Sequence, residues 1–150
     1  MTVTESRFEV LSASLAQFTR ALQKLKARVM TPYGLRSTHV TCLFPLSHAP
    51  RGMTAAEISE ASELDKGAVS RAIAELERLG YVICERSDDK RKYRARITLT
   101  ESGEYVAERV AGAIDETIAR AGKSLPPEEL AAFYRALPVM AKALETILDE

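Results

Sequence analysis

The stretch "LDKGAVSRAIAELERLGY", residues 64–81, decides the fold of this chain. At 100° per residue, Val69, Ile73 and Leu76 fall within about 60° of one another, so they lie on one side of a helix. An aspartate precedes the periodic part and a glycine follows it, which are typical start and stop signals. The stretch therefore predicts an amphipathic helix over residues 66–79 with these three side chains in the core.

The opposite face of this helix is unusual. It carries Gly67, Ser70, Arg71, Ala74 and Arg78, so small residues alternate with arginines. A glycine inside a helix costs roughly 0.5–1 kcal/mol relative to alanine. Small side chains let a backbone enter a DNA major groove about 12 Å wide, where an arginine can bind guanine through two hydrogen bonds. The face is expected to contact DNA bases and, at the helix N-terminus, phosphate; the alternative is a tolerated glycine beside solvated arginines.

The neighbouring sequence completes a winged helix-turn-helix. A helix is predicted over about 35–47, with Pro45 inside it or ending it early. "TAAE" at 54–57 has the form of a capping box and opens a short helix. After the central helix, residues 82–86 and 93–100 alternate as two strands of a hairpin around the polar tip "SDDKRK".

The hairpin is strongly basic, although the chain as a whole has a net charge of zero. Residues 86–96 contain six basic and two acidic residues. Arg91 at the tip is expected to enter a narrow minor groove, with Asp89 holding its guanidinium group; the alternative is an ordinary charged turn. The candidate DNA contacts, all polar, basic or small, are Thr54, Lys66, Gly67, Ser70, Arg71, Arg78, Asp89, Lys90, Arg91, Lys92 and Arg94.

Composition restricts the class of protein. The 150 residues are 46% hydrophobic and 28% charged, which suits one globular domain. Residues 1–100 hold 16 Lys and Arg against 11 Asp and Glu, whereas residues 101–150 hold 5 against 10. Two cysteines are too few for a disulfide framework, and neither a signal segment nor a membrane-spanning run is visible. We expect a cytoplasmic protein with no membrane partner.

Both ends of the chain carry apolar stripes at spacings of three and four residues. These stripes predict long terminal helices that pack either on the chain's own core or on a second copy. A third helix is predicted over about 101–121. The stripe residues are Phe8, Leu11, Leu15, Phe18, Leu22, Leu25 and Val29 at the N-terminus, and Leu130, Phe133, Leu137, Met140, Leu144 and Ile147 at the C-terminus.

Residues 52–103 resemble the DNA-binding core of the MarR family of multiple-antibiotic-resistance type regulators. The resemblance rests on "LDKGAVSRAIAELERLGY", the wing "DKR" and the "LTESG" that follows it. It implies a mainly α fold with a β-hairpin wing, and a homodimer that binds a pseudo-palindromic operator. It also implies a ligand or redox input where the two parts meet. Residues 1–34 and 101–150 would form the dimerisation region and residues 35–100 the DNA-binding region.

The remaining candidate sites are weaker. His39 and Cys42 form an H-x-x-C pattern without a second ligand cluster, so we expect no metal and a buried thiol. Peroxide-sensing members of the family that this chain resembles use a cysteine in the first helix, and the absence of one here disfavours redox sensing at Cys42 or Cys84. No nucleophile-base pair or phosphate-binding glycine loop is visible, so we predict neither an enzyme nor a cofactor. The resemblance places a pocket for a small aromatic or phenolic effector at Phe18, Tyr33, His39 and Phe44.

The sequence thus predicts a homodimeric transcriptional regulator that binds double-stranded DNA sequence-specifically, a repressor released by a small ligand. Two alternatives remain open at this point. One is a winged helix used only for protein–protein contact, and the other is a regulator that responds to cysteine oxidation. Steep salt dependence of DNA binding would exclude the first.

Overall fold

A computed structural model describes residues 6–85 and 95–150 of the chain. It is mainly α-helical with a two-stranded antiparallel hairpin, as predicted. In chain order the elements are α1 (Arg7–Met30), a short 3₁₀ helix (Thr31–Tyr33), α2 (Ser37–Ser47), α3 (Ala55–Ser62), α4 (Lys66–Arg78), β1 (Val82–Glu85), β2 (Arg96–Leu99), α5 (Glu101–Gly122) and α6 (Pro127–Leu148). Two compact units, Met1–Ile114 and Asp115–Glu150, divide the chain within α5.

The core of the first unit is built around α4. Its Val69, Ile73 and Leu76 are buried, as the sequence pattern predicts, and so is Ala72. Apolar side chains of the neighbouring helices surround them because each of these helices has one apolar face to remove from water. The buried side chains on the helices that contact α4 are Val40, Leu43 and Leu46 of α2 and Ile58 of α3, while Val106, Val110 and Ile114 are the buried side chains of α5.

The helix boundaries follow local capping signals. The hydroxyl of Thr54 accepts a hydrogen bond from the backbone N–H of Glu57 at 3.2 Å and starts α3. Ser6 and Glu9 form a reciprocal capping box that starts α1, which the sequence pattern alone had not singled out. Gly34 and Gly80 adopt left-handed backbone conformations, Gly34 at the end of the short 3₁₀ helix and Gly80 just after α4.

Two prolines lie inside helices without ending them. Pro45 sits in the last turn of α2, which continues to Ser47. Pro138 lies in the middle of α6, and the helix runs on to Leu148. An internal proline removes one backbone hydrogen bond, so both helices tolerate that loss at these positions.

The hairpin is anchored by a third backbone segment. β1 and β2 pair with Val82 opposite Leu99 and Glu85 opposite Arg96. Met53 adds an isolated bridge to Ile97 on the other edge of β2, with hydrogen bonds of 3.0 and 2.8 Å. Of the predicted strands 82–86 and 93–100, β1 covers residues 82–85 and β2 covers residues 96–99, so residues 95 and 100 are not in a strand. The remaining predicted strand positions, residues 86, 93 and 94, lie outside the described residues.

The terminal helices expose their apolar stripes. On α1, Phe8 is 74% exposed, and Leu15, Phe18 and Leu22 are also exposed. On α6, Leu137, Met140, Leu144 and Ile147 are exposed in the same way. These eight side chains are thus exposed in the single chain, and which surface covers the two stripes stays a prediction.

Hydrogen bonds from Thr100 connect the start of α5 to the turn that follows α4. The Thr100 hydroxyl donates to the carbonyl of Gly80 at 2.6 Å and accepts from the N–H of Gly103 at 3.0 Å. Thr100 also donates its backbone N–H to the carbonyl of Tyr81 at 3.0 Å. Gly103 lies so close to Tyr81 that any Cβ there would collide with the Tyr81 carbonyl oxygen. This contact fixes the base of the wing.

We expect Gly103→Ala to destabilise the fold by about 1–3 kcal/mol, because the added methyl group forces the backbone apart. Gly112→Ala is the matched control: it lies on the same helix with nothing within 4 Å of its Cβ position. Alanine there should be neutral or stabilise the helix by roughly 0.5–1 kcal/mol. Urea unfolding measures both variants, and equal effects at the two glycines would contradict the proposed close contact.

Candidate nucleic-acid interface

The N-terminus of α4 is capped by a carboxylate. Oδ1 of Asp65 accepts a hydrogen bond from the backbone N–H of Ala68 at 2.8 Å. The sequence predicts that this helix end favours phosphate, and the Asp65 carboxylate already accepts one of the N–H groups of its first turn. A phosphate would meet a negative charge there, so phosphate contacts at this end are better supplied by the exposed Lys66.

The exposed face of α4 carries the residues expected from its periodicity. Gly67, Ser70, Arg71, Ala74 and Arg78 all face solvent on the side opposite the buried apolar residues. Within the described parts of the chain, neither arginine on this face forms an ion pair. Two guanidinium groups and three small residues therefore share one accessible helix surface.

Gly67 has a structural role that the sequence did not reveal. A Cβ at this position would lie 3.3 Å from Nη1 of Arg71 and 3.2 Å from Oδ1 of Asp65. These distances are tight, so the bare backbone makes room for the Arg71 guanidinium over the first turn. Gly67 thus shapes the surface through Arg71, in addition to the close backbone approach that its position allows.

The other predicted contacts divide into two groups. Thr54 is half-buried and its hydroxyl caps α3, while Lys66 is the exposed first residue of α4. The predicted wing contacts lie outside the described residues: Asp89, Lys90, Arg91, Lys92 and Arg94. At the base of the wing, Arg96 donates to the backbone carbonyl of Gly52 at 3.1 Å. Its guanidinium therefore holds the turn before α3.

A polar cluster that sequence reasoning missed joins α2 to α4. Nη2 of Arg36 donates to both oxygens of the Glu75 carboxylate, at 2.7 and 2.9 Å. Nε2 of His39 lies 2.7 Å from Oε2 of the same carboxylate. The His39 side chain is 2% exposed, whereas that of Arg36 is 72% exposed and that of Glu75 33%. Three charged or titratable groups thus meet at the surface between two helices.

The histidine in this cluster has a defined tautomer. Its Nδ1 accepts the backbone N–H of Arg36 at 2.8 Å, so Nδ1 carries no proton. The proton therefore lies on Nε2, and this N–H donates a hydrogen bond to the Glu75 carboxylate. The hydrogen bonds from Arg36, and next those from His39, hold the pKa of Glu75 below its ordinary value of 4.5.

The predicted effector pocket stays a prediction. Phe18 lies on an exposed groove of α1, beside other residues of the same helix, while Tyr33 and Phe44 are half-buried. His39 offers a ligand no free ring nitrogen because both are bonded within the chain. A separate cleft of about 320 Å³ lies between the end of α2, β2 and α5, and it contains none of these four residues.

The cysteines are placed much as expected. Cys42 is fully buried, and burial raises the pKa of its thiol to about 11. Cys84 is half-buried on β1, opposite Ile97. Within residues 6–85 and 95–150, no three His, Cys, Asp or Glu side chains are grouped to hold a metal ion. The same residues contain no helix with the length and hydrophobicity of a membrane span.

These elements define a winged helix-turn-helix protein: α2 to α4 form the helix-turn-helix, β1 and β2 form the wing, and α4 presents the exposed basic face. A family model for the MarR family matches residues 33–92. The chain is thus a winged helix-turn-helix protein that is similar, over residues 33–92, to the MarR family of transcriptional regulators.

Solved structures share this fold along most of the chain. A MarR transcriptional regulator from Methanosarcina mazei Go1 is 24% identical with a TM-score of 0.81, covering 93% of this chain and 99% of that one. A Mycobacterium tuberculosis MarR family protein in complex with p-aminosalicylic acid is 25% identical, with a TM-score of 0.70 and coverage of 87% and 98%. The Staphylococcus aureus MepR–DNA complex is 20% identical, with a TM-score of 0.74 and coverage of 88% and 96%.

The lowered pKa of Glu75 predicts how its contribution to stability depends on pH. A carboxylate whose pKa is depressed on folding stabilises the native state fully above its unfolded pKa, and loses this effect as pH falls through the folded value. The difference in unfolding free energy between wild type and Glu75→Gln should be constant above about pH 5 and shrink below the ordinary pKa of 4.5.

Urea unfolding at a series of pH values measures this difference. Glu77→Gln removes a carboxylate from the same helix without touching Arg36 or His39, so it is the matched control. If the difference in unfolding free energy between wild type and Glu75→Gln stays constant down to the lowest pH at which the protein folds, the hydrogen bonds assigned to the Glu75 carboxylate are contradicted.

Proposed function

We propose that the chain is a homodimeric repressor that binds a pseudo-palindromic operator in double-stranded DNA and releases it when a small ligand binds. The observation that carries this proposal is the exposed face of α4, where Arg71 and Arg78 alternate with small residues opposite a buried apolar face. Neither arginine forms an ion pair with a residue that the structure describes. A solvated helix surface has no need of a glycine at this position, whereas a groove-reading surface does. The cytoplasm, where the chromosome of a prokaryote lies, is the compartment that this function requires.

Base reading is assigned to the first two turns of α4. Arg71 reaches the guanine edge in the major groove, and Ser70 contacts a base edge or phosphate. Gly67 and Ala74 let the helix backbone come close to the bases. Arg78 lies two turns from Arg71 along the helix and is assigned to a phosphate. MepR, which shares this fold, has been solved in complex with DNA, and this supports DNA as the partner.

The wing is assigned to the minor groove. Arg91 would enter it beside the half-site read by α4, with Asp89 holding its guanidinium group and Lys90, Lys92 and Arg94 near the phosphates. Six basic residues in 86–96 support this assignment.

A second copy of the chain is the partner that suits the terminal helices. Their exposed apolar stripes need cover, and their charges are complementary. Helix α1 carries five basic residues and one acidic residue, whereas residues 101–150 carry five basic and ten acidic. Pairing α1 with the C-terminal helices of the partner buries both stripes and brings opposite charges together. A two-fold dimer then sets two α4 helices about one DNA turn, roughly 34 Å, apart.

The ligand proposed for release is a small aromatic or phenolic acid. The M. tuberculosis family member in complex with p-aminosalicylic acid supports this class of compound. Phe18, Tyr33 and Phe44 supply aromatic contacts, while His39 contributes only ring surface. Release through oxidation of Cys42 is disfavoured because a buried thiol with a pKa of about 11 is almost never a thiolate at neutral pH.

The two arginines of α4 should differ in what they recognise. Arg71→Ala should cost about 1–3 kcal/mol on the best site and relax the preference at one base pair. Arg78→Ala should weaken binding to all duplexes about equally. It should also lower the slope of log affinity against log salt concentration by roughly one, because one phosphate contact is lost. Fluorescence anisotropy at several salt concentrations, with a selected and a random duplex, measures both. Identical losses on the two duplexes for Arg71→Ala would contradict base reading.

Gly67→Val should keep the fold, since its side chain would point to solvent, but weaken binding to the selected duplex. The added bulk displaces the Arg71 guanidinium and pushes the helix out of the groove. Thermal unfolding checks the fold and anisotropy the affinity. Undiminished affinity of a folded Gly67→Val variant would reduce Gly67 to a tolerated first-turn glycine.

The chain should be a dimer at micromolar concentration, and Leu144→Glu should dissociate it by placing a charge in the stripe of α6. Thr146→Glu adds the same charge on the opposite face of the helix and should remain a dimer. Loss of the dimer should also lower operator affinity because the two half-sites are no longer bound together. Sedimentation that shows a stable 16.5 kDa wild-type monomer would contradict the proposed assembly.

A further inference from the structure

Glu75 lies where it could interfere with the DNA-reading face. It follows Arg71 by four residues and precedes Arg78 by three, so it neighbours both on the surface of α4. On the helical wheel it stands about 40° from Arg71, at the border between the exposed and buried faces. Opposite charges at these spacings pair readily on a helix, and such a pair would occupy the Arg71 guanidinium.

The structure shows a different pairing. The carboxylate of Glu75 points across to α2, where Arg36 donates to both of its oxygens and His39 donates to one. His39 cannot turn away easily, because its Nδ1 is held by the backbone N–H of Arg36 at 2.8 Å. Three hydrogen bonds from the first turn of one helix thus fix a single carboxylate of another.

We propose that Arg36 and His39 are positioning residues that hold the Glu75 carboxylate away from Arg71, and so keep the Arg71 guanidinium available to DNA. This inference rests on the proposed DNA-binding function. In this arrangement the Glu75 carboxylate can pair with Arg71 in place of DNA. It does so only when Arg36 and His39, at the N-terminus of α2, do not hold it.

The position of Arg36 gives this arrangement a consequence for regulation. Arg36 is the N-cap of α2 and stands two residues after Gly34, where the turn from α1 ends. A movement of that turn which draws Arg36 away from Glu75 frees the carboxylate to pair with Arg71. The α1–α2 turn is thereby coupled to the DNA-reading surface without any change in the bonds within α4.

The experiment compares DNA binding by four proteins: wild type, Arg36→Met, Arg36→Met with Glu75→Gln, and Arg36→Met with Glu77→Gln. The probes are the duplex that the wild type selects from a randomised pool and a random-sequence duplex of equal length. Methionine keeps the aliphatic bulk of Arg36 and removes its donors. Both double variants restore the wild-type net charge, but only one removes the competing carboxylate.

We expect Arg36→Met to lose about threefold to tenfold in affinity for the selected duplex, a part of what loss of a bidentate base contact would cost. Glu75→Gln in that background should restore the affinity for the selected duplex and its ratio to the random one. Glu77→Gln should leave that ratio at the value of Arg36→Met. Circular dichroism melting checks that each variant folds. His39→Gln, which keeps a bond to the Arg36 N–H, gives a second comparison with Glu75→Gln.

The outcomes separate the two levels of the proposal. A wild type that selects no duplex overturns the DNA-binding function and this inference with it. A wild type that binds, together with an unaffected Arg36→Met, overturns only the positioning role. Equal rescue by Glu75→Gln and Glu77→Gln, or rescue by neither, overturns it as well, because the effect would then be one of net charge or of a lost Arg36 contact to DNA.

Discussion

The burial of the apolar face of α4 is the interaction on which the rest of the structure depends. Val69, Ile73 and Leu76 each gain about 1.5–3 kcal/mol when removed from water. Their sum greatly exceeds the roughly 0.5–1 kcal/mol that Gly67 costs the helix. The helix therefore cannot rotate, and the side that carries Arg71 must face solvent. The accessible basic surface is a direct consequence of the packing beneath it.

Hydrogen bonds at both ends of α4 then fix its position against the neighbouring elements, which apolar packing alone does not do. Buried apolar side chains set which face of α4 points inward, but they are not directional. The bonds from Arg36 and His39 to Glu75 set the helix against α2, and the Thr100 contacts tie its end to the wing and α5. A shift at either end of α4 must break hydrogen bonds of defined geometry. Such a surface suits recognition of a regular groove.

The sequence predicted those features that depend on neighbours along the chain. The period of apolar residues gave the buried face of α4, and the Asp65 and Thr54 caps gave the starts of two helices. Contacts between distant residues had no local signal. His39 and Glu75 are 36 positions apart, and the bond from Arg96 to Gly52 spans 44. In the sequence, Glu75 has no feature that distinguishes it from an ordinary charged residue on a helix surface, and nothing marks it as the partner of His39.

Two other differences have physical reasons. Periodicity places an apolar stripe on one side of α1 but cannot say whether the chain or a partner covers it, so the exposure of Phe8 and Leu15 was visible only in the structure. The phosphate contact expected at the start of α4 stays a prediction, and the Asp65 that caps the helix brings a negative charge to the same N-terminus. A cap and an anion site compete for one set of backbone donors.

Methylation interference on the selected duplex tests the central claim that α4 reads DNA through Arg71. Methylation of guanine N7 blocks the major-groove edge that an arginine binds. The account predicts interference at one guanine in each half-site, about one helical turn apart, for the wild type, and loss of that interference for a folded Arg71→Ala variant that still binds. Interference that is absent from the wild type, or that persists unchanged without Arg71, would contradict it.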